Sequence, residues 1–178
     1  LRAYFHFELL KRYGPIPIIT STLSINGNYE NIPRPTMKEV VEFIAKECDM
    51  AADTLELTPW RNINDAFGRA TKGAVLALKS RLLLYAASPL YADFGDINEA
   101  HKPSDVAQWR AAADAAKAVI DLHQYELATV YGDLFKNDFQ NKEYIFVRRY
   151  AANAALEKSN FPISFGGKGG TNPSQNLV

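Results

Sequence analysis

The sequence predicts a mainly α-helical chain: a helical-repeat scaffold with long loops and a small irregular and β portion. Three observations lead there. Four segments with apolar residues at helical spacing centre near residues 7, 46, 79 and 114, at steps of about 39, 33 and 35. The stretches between them are rich in Pro, Gly, Asn and Ser, the residues of turns and loops. Only one segment, 143–150, alternates convincingly as a strand does.

The first helix is expected in "LRAYFHFELLKRY". Leu1, Phe5 and Leu9 share one spacing and Tyr4, Phe7 and Leu10 another, so its apolar surface is broad. Pro15 and Pro17 forbid its continuation, and the chain to residue 35 reads as loop. The second helix carries the best-marked start. Thr36 is the N-cap and Glu39, three residues on, completes a capping box. Val40, Phe43, Ile44, Ala51 and Leu55 form its apolar face, and Cys48 shares that face as a small core residue.

A loop over 56–69, holding Pro59 and Trp60, leads to "GRATKGAVLALKSRLLLYAASPLY". Thr71 is the expected N-cap, Gly73 permits close approach of a neighbour, and Ser88 and Pro89 stop the helix. Val75, Leu78, Leu82 and Tyr85 mark one face, while Leu76, Leu83 and Ala87 widen it. A helix apolar around so much of its girth belongs inside a stack. After a second loop to residue 104 comes an alanine-rich helix with Ser104 as its expected cap. Its expected packing face is Trp109, Ala112, Ala113, Ala116, Val119 and Ile120. "EYIFVRRY" (143–150) is the expected strand, and the remainder reads as loop.

Bulk properties exclude several classes. The chain has 178 residues, with 20 Lys plus Arg against 20 Asp plus Glu, so no net charge attracts nucleic acid or an acidic membrane in general. A single cysteine excludes an internal disulfide framework. No run of eighteen apolar residues spans a bilayer, and no signal peptide is present. The first residue is Leu1 rather than Met and the tail "GGTNPSQNLV" is loop-like, so the chain reads as an internal fragment.

No enzyme signature survives inspection. Gly68 and Gly73 have the separation of a phosphate loop, but Ala74 and Val75 stand where that loop needs Lys and Ser or Thr. "FGGKGGTNPS" misplaces its lysine too, and no helical pattern follows it. His6, His101 and His123 lie far apart, without partners at metal-site spacing. The acidic residues are scattered, leaving no carboxylate pair to select. No metal or cofactor is expected. The aromatic content is more informative, with ten Phe, nine Tyr and two Trp. Rings in loops beside Asn, Asp, Arg and Ser suit carbohydrate, whose C–H faces pack on rings while hydroxyls find polar partners. Trp60, Tyr91, Arg148, Tyr150, Phe161 and Phe165 are the candidate ligand contacts.

Four blocks, "LRAYFHFELLKRYGPIPII", "RPTMKEVVEFIAKECDMAADTL", "GRATKGAVLALKSRLLLYAASPLY" and "WRAAADAAKAVID", resemble the helical core of SusD/RagB-type proteins in order and separation. "EYIFVRRY" and "NPSQNLV" resemble the strand and segment that follow there. The resemblance implies a tetratricopeptide-like helical scaffold. Residues 1–178 would form one SusD-like domain fragment, with a helical core over 1–140 and a strand and loop segment over 141–178. It further implies a non-catalytic oligosaccharide-binding lipoprotein on the outer surface of a Bacteroidetes-type bacterium. Its partner would be a SusC-like TonB-dependent transporter, and its lipid anchor would lie outside this fragment. Capture of peptide, as in RagB-like uptake, and a generic protein-binding helical scaffold are the alternatives. An enzyme with a carboxylate pair assembled in space is a third.

Overall fold

The computed structural model describes residues 1–57, 68–92, 105–135, 141–148 and 154–170. Helix α1 spans Arg2–Tyr13 and buries Ala3, His6, Phe7 and Leu10. Gly14 ends it at φ 68°, its N–H returning 2.9 Å to the Leu10 carbonyl. A side chain is strained at that φ, which is why the chain uses glycine there. His6 is a packed residue: its Nδ1 lies 2.9 Å from the Arg2 carbonyl and its ring meets Phe43 edge-on at 5.1 Å. The Arg34 guanidinium donates to the carbonyls of Tyr13 and Pro15, at 2.8 and 2.5 Å, and so ties the following loop to the helix end.

Helix α2, Met37–Thr54, starts as its sequence dictates. The Glu39 N–H donates to Thr36 Oγ1 at 3.3 Å, and the Thr36 N–H donates to the Glu39 carboxylate at 2.7 Å. Two N-terminal donors that the helix itself cannot satisfy are thereby paired. The face buried is Val40, Val41, Ile44, Cys48 and Ala52. Arg2 reaches from α1 to Glu47 with two bonds of 2.7 Å, an ion pair that fixes how the two helices meet.

Helix α3, Lys72–Ala87, opens at Thr71, whose hydroxyl accepts the Ala74 N–H at 3.4 Å. Ser88 ends it, and Pro89 then begins a fresh turn, α4 (Pro89–Ala92), where its missing N–H costs nothing. Helix α3 packs on α2 and on α5, Val106–Ile120, as an inner helix of a stack does. The core joins Phe7 and Leu10 of α1, Val40, Ile44 and Cys48 of α2, and Leu82 of α3. Val75, Leu78, Leu83 and Tyr85 pack around it.

Three expectations are corrected. Asp105, not Ser104, caps α5: its carboxylate accepts the Ala107 N–H at 2.9 Å. Ser104 lies outside the described residues. The packed face of α5 is also rotated from the expected one. Ala112 is buried and Ala115, Ala118 and Val119 are half-buried, whereas Trp109, Ala113, Ala116 and Ile120 are exposed. Alanine on nearly every side of this helix leaves the sequence without a phase. Finally, no strand forms among the described residues, 143–148 included. A period-two pattern becomes a strand only when a neighbour supplies a hydrogen-bond ladder. Here one backbone bond, Glu126 N–H to the Lys142 carbonyl at 3.4 Å, is joined by side-chain ties instead. Lys142 pairs with Glu126 at 2.9 Å, and Glu143 accepts the Ala128 N–H at 2.7 Å.

The chain divides into two compact units, Leu1–Val147 and Arg148–Val178. In the second, α6 (Ala155–Asn160) leads through Pro162 into a short 3-10 turn, Ile163–Phe165.

Candidate ligand-binding site

The described candidates fall in both units, and each unit is treated by itself. Trp60 and Tyr150 lie outside the described residues.

In the second unit the glycine-rich stretch has a structural role that explains its composition. Gly166 ends the 3-10 turn at φ 77°, and Gly169 has φ 59°; both values favour glycine. The chain then doubles back along residues 158–163. The Gly167 N–H donates to the Pro162 carbonyl, Gly169 to Phe161 and Gly170 to Ser159, each at 3.0 Å, and Lys168 to Lys158 at 2.5 Å. At Gly167 a Cβ would stand 1.9 Å from the Phe161 carbonyl oxygen, so only glycine fits. What resembled a failed phosphate loop is a brace. It fixes the backbone of Phe161 while the ring stays exposed, and it leaves Phe165 at 81 % exposure and Ile163 at 78 %. Asn160, Ser164 and Lys168 are exposed in the same loop. Exposed rings interleaved with amide, hydroxyl and ammonium groups can pack on sugar C–H faces and bond hydroxyls. Arg148 belongs to this unit and is also exposed. Ile163 was not expected, because an aliphatic residue in a loop carries no chemical signal.

In the first unit Tyr91 is only 9 % exposed. Its hydroxyl donates to the Lys11 carbonyl at 3.2 Å and its ring lies 5.8 Å from that of Tyr85. Packing therefore accounts for Tyr91. It also lines a cleft of about 300 Å³ where the start of α2 faces the ends of α3 and α4 and the start of α5. Met37, Val41, Leu83 and Ala86 give it apolar walls, and Lys38, Glu42 and Gln108 are its polar members. Four elements meet in this cleft, so no single stretch of sequence announces it. Among the described residues no group of three or more His, Cys, Asp or Glu is placed to hold a metal ion. No helix among them is long and apolar enough to cross a membrane.

Inner and outer helices around one core, with aromatic groups displayed on a braced loop, define a helical scaffold that displays a binding surface. Residues 1–84, which run from α1 almost to the end of α3, match the family model SusD-like_3, described as starch-binding and associating with the outer membrane. The fold is similar to a SusD-like protein from Bacteroides fragilis NCTC 9343, with 29% identity and a TM-score of 0.65 over 87% of this chain and 27% of that one. It is also similar to a SusD homolog from Bacteroides thetaiotaomicron VPI-5482, with 27% identity and a TM-score of 0.57 over 76% of this chain and 23% of the other. The chain belongs to the SusD-like family. It spans about a quarter of the length of these solved relatives. No curated protein matches it.

Proposed function

We propose that the protein carrying this chain is a non-catalytic glycan-binding subunit of an outer-membrane uptake system. It holds oligosaccharide at the cell surface, is lipid-anchored, and passes its ligand to a SusC-like TonB-dependent transporter. The observation that carries this reading is the family match over residues 1–84, which coincides with the helical core α1–α3. The exposed Phe161 and Phe165 on their glycine-braced loop support it as sugar-packing groups. Arg148, Trp60 and Tyr150 are further proposed contacts, whereas Tyr91 serves by shaping the helical core.

The test is titration calorimetry of the full-length protein against a panel of oligosaccharides and, in parallel, mixed peptides. Saturable heat with at least one oligosaccharide, with no product released on long incubation, is the expected result. Binding of peptides alone would move the protein to the peptide-uptake reading, and turnover of any glycan would overturn the non-catalytic one.

A further inference from the structure

Helix α1 carries two apolar faces. One, formed by Ala3, His6, Phe7 and Leu10, is the buried face already described. At 100° per residue, Leu1, Phe5 and Leu9 fall on the opposite side, and Tyr13 extends the same four-residue ridge. All four are exposed, Phe5 at 59 % and Tyr13 at 62 %. The charges among them are already engaged within the unit. Glu8 pairs with Lys11 at 2.5 Å and with Arg12 at 2.6 Å, and Arg2 pairs with Glu47. What α1 offers outward is therefore apolar surface whose polar neighbours need no further partner.

We infer that this outer ridge is covered in the native protein by a further amphipathic helix of the same polypeptide. The covering element is a helix because residues four apart form the ridge that seats in the groove of another helix. The ridge runs about 18 Å, twelve steps of about 1.5 Å, so its partner needs at least three turns. The outermost helix of a stack ordinarily turns a polar face to solvent, whereas an apolar outer face marks an internal position. The length of the relatives supplies the occupant: this chain corresponds to only 27% and 23% of the two solved SusD-like chains it resembles. The inference is independent of which ligand the protein binds.

The test is maleimide labelling of the full-length protein with Phe5→Cys or Leu9→Cys, compared with Lys38→Cys as an exposed control. Native Cys48 gives little background, being wholly buried. Positions 5 and 9 are expected to label about tenfold or more slower than position 38, as residues beneath a stable element do. That protection is expected to be unchanged on dilution and in the absence of any other protein. Labelling at the control rate overturns the inference. So does protection that disappears on dilution, which would assign the ridge to a second copy. Hydroxyl-radical footprinting of Phe5 and Tyr13 in the unmodified protein gives the same discrimination without a substitution.

Discussion

Cys48 shows how a single buried group couples the core to pH. It has no exposed surface, and burial, reinforced by the neighbouring Asp49 charge, pushes its thiol from 9.0 to about 11. The folded chain thus keeps a proton that the unfolded chain releases at lower pH. The stability this contributes is complete below about pH 9 and is lost as pH rises toward 11, at no more than about 1.4 kcal/mol per pH unit. Urea denaturation across that interval should show Cys48→Ala losing stability less steeply than the parent; identical slopes would remove the coupling. Gly73 makes a second point at this scale. A Cβ there would stand 2.0 Å from the Tyr125 hydroxyl and 2.6 Å from its ring, so the helix is glycine where a neighbour crowds it. Gly73→Ala should gain helix propensity yet destabilise the protein by about 1–3 kcal/mol, because overpacking outweighs the gain of about 1 kcal/mol. A shift in the urea midpoint measures the balance, and Tyr125→Ala in the same chain should recover the propensity term.

Among the elements, what was legible in sequence was whatever local chemistry decides. Thr36 with Glu39, and Thr71, announce helix starts because a side-chain oxygen and a backbone N–H three residues later meet inside one turn. Thr36→Ala should therefore cost about 1 kcal/mol in thermal or urea unfolding. The bond from the Thr36 backbone holds the Glu39 carboxyl below its ordinary value, and the Thr36 hydroxyl adds to this. The cap is thus intact above the ordinary carboxyl range and weakens as pH falls through Glu39's lowered value. The rotational phase of α5 was not legible, because Ala112, Ala113, Ala115 and Ala116 look alike until a neighbour selects among them. That selection is testable: Ala112→Leu should destabilise by about 1–3 kcal/mol, while Ala113→Leu, exposed, should stay within about 0.5 kcal/mol of the parent. The reverse order would restore the face expected from sequence. Segment 143–148 failed as a strand for a related reason, since alternation is local but a ladder is not. The binding residues were the least legible of all. Tyr91 and Phe165 are both aromatics beside helix ends or loops, and only the fold separates the ring that packs from the ring that is displayed.

At the scale of the whole molecule the two units are expected to divide the work, one giving stability and the other ligand contact. Tyr91 bonds the Lys11 carbonyl inside the helical unit, so Tyr91→Phe removes that hydrogen bond while keeping the ring. About 0.5–1.5 kcal/mol of folding stability should be lost, with affinity for the best oligosaccharide of the panel unchanged. Phe161 and Phe165 belong to the other unit, where the brace is made by backbone bonds that neither ring contributes. Removing either ring therefore leaves the loop's own hydrogen bonds in place and takes away exposed aromatic surface alone. Phe161→Ala or Phe165→Ala should leave the unfolding midpoint unmoved and weaken oligosaccharide binding roughly five- to tenfold, equivalent to about 1 kcal/mol or more of ring contact. Calorimetry and urea denaturation on the same four proteins, parent included, read both axes. Should Tyr91→Phe lose affinity while the two phenylalanine variants keep it, the glycan would have to be sought at the α2–α3–α5 cleft, whose lining includes Tyr91. The division of labour argued from exposure would then be reversed.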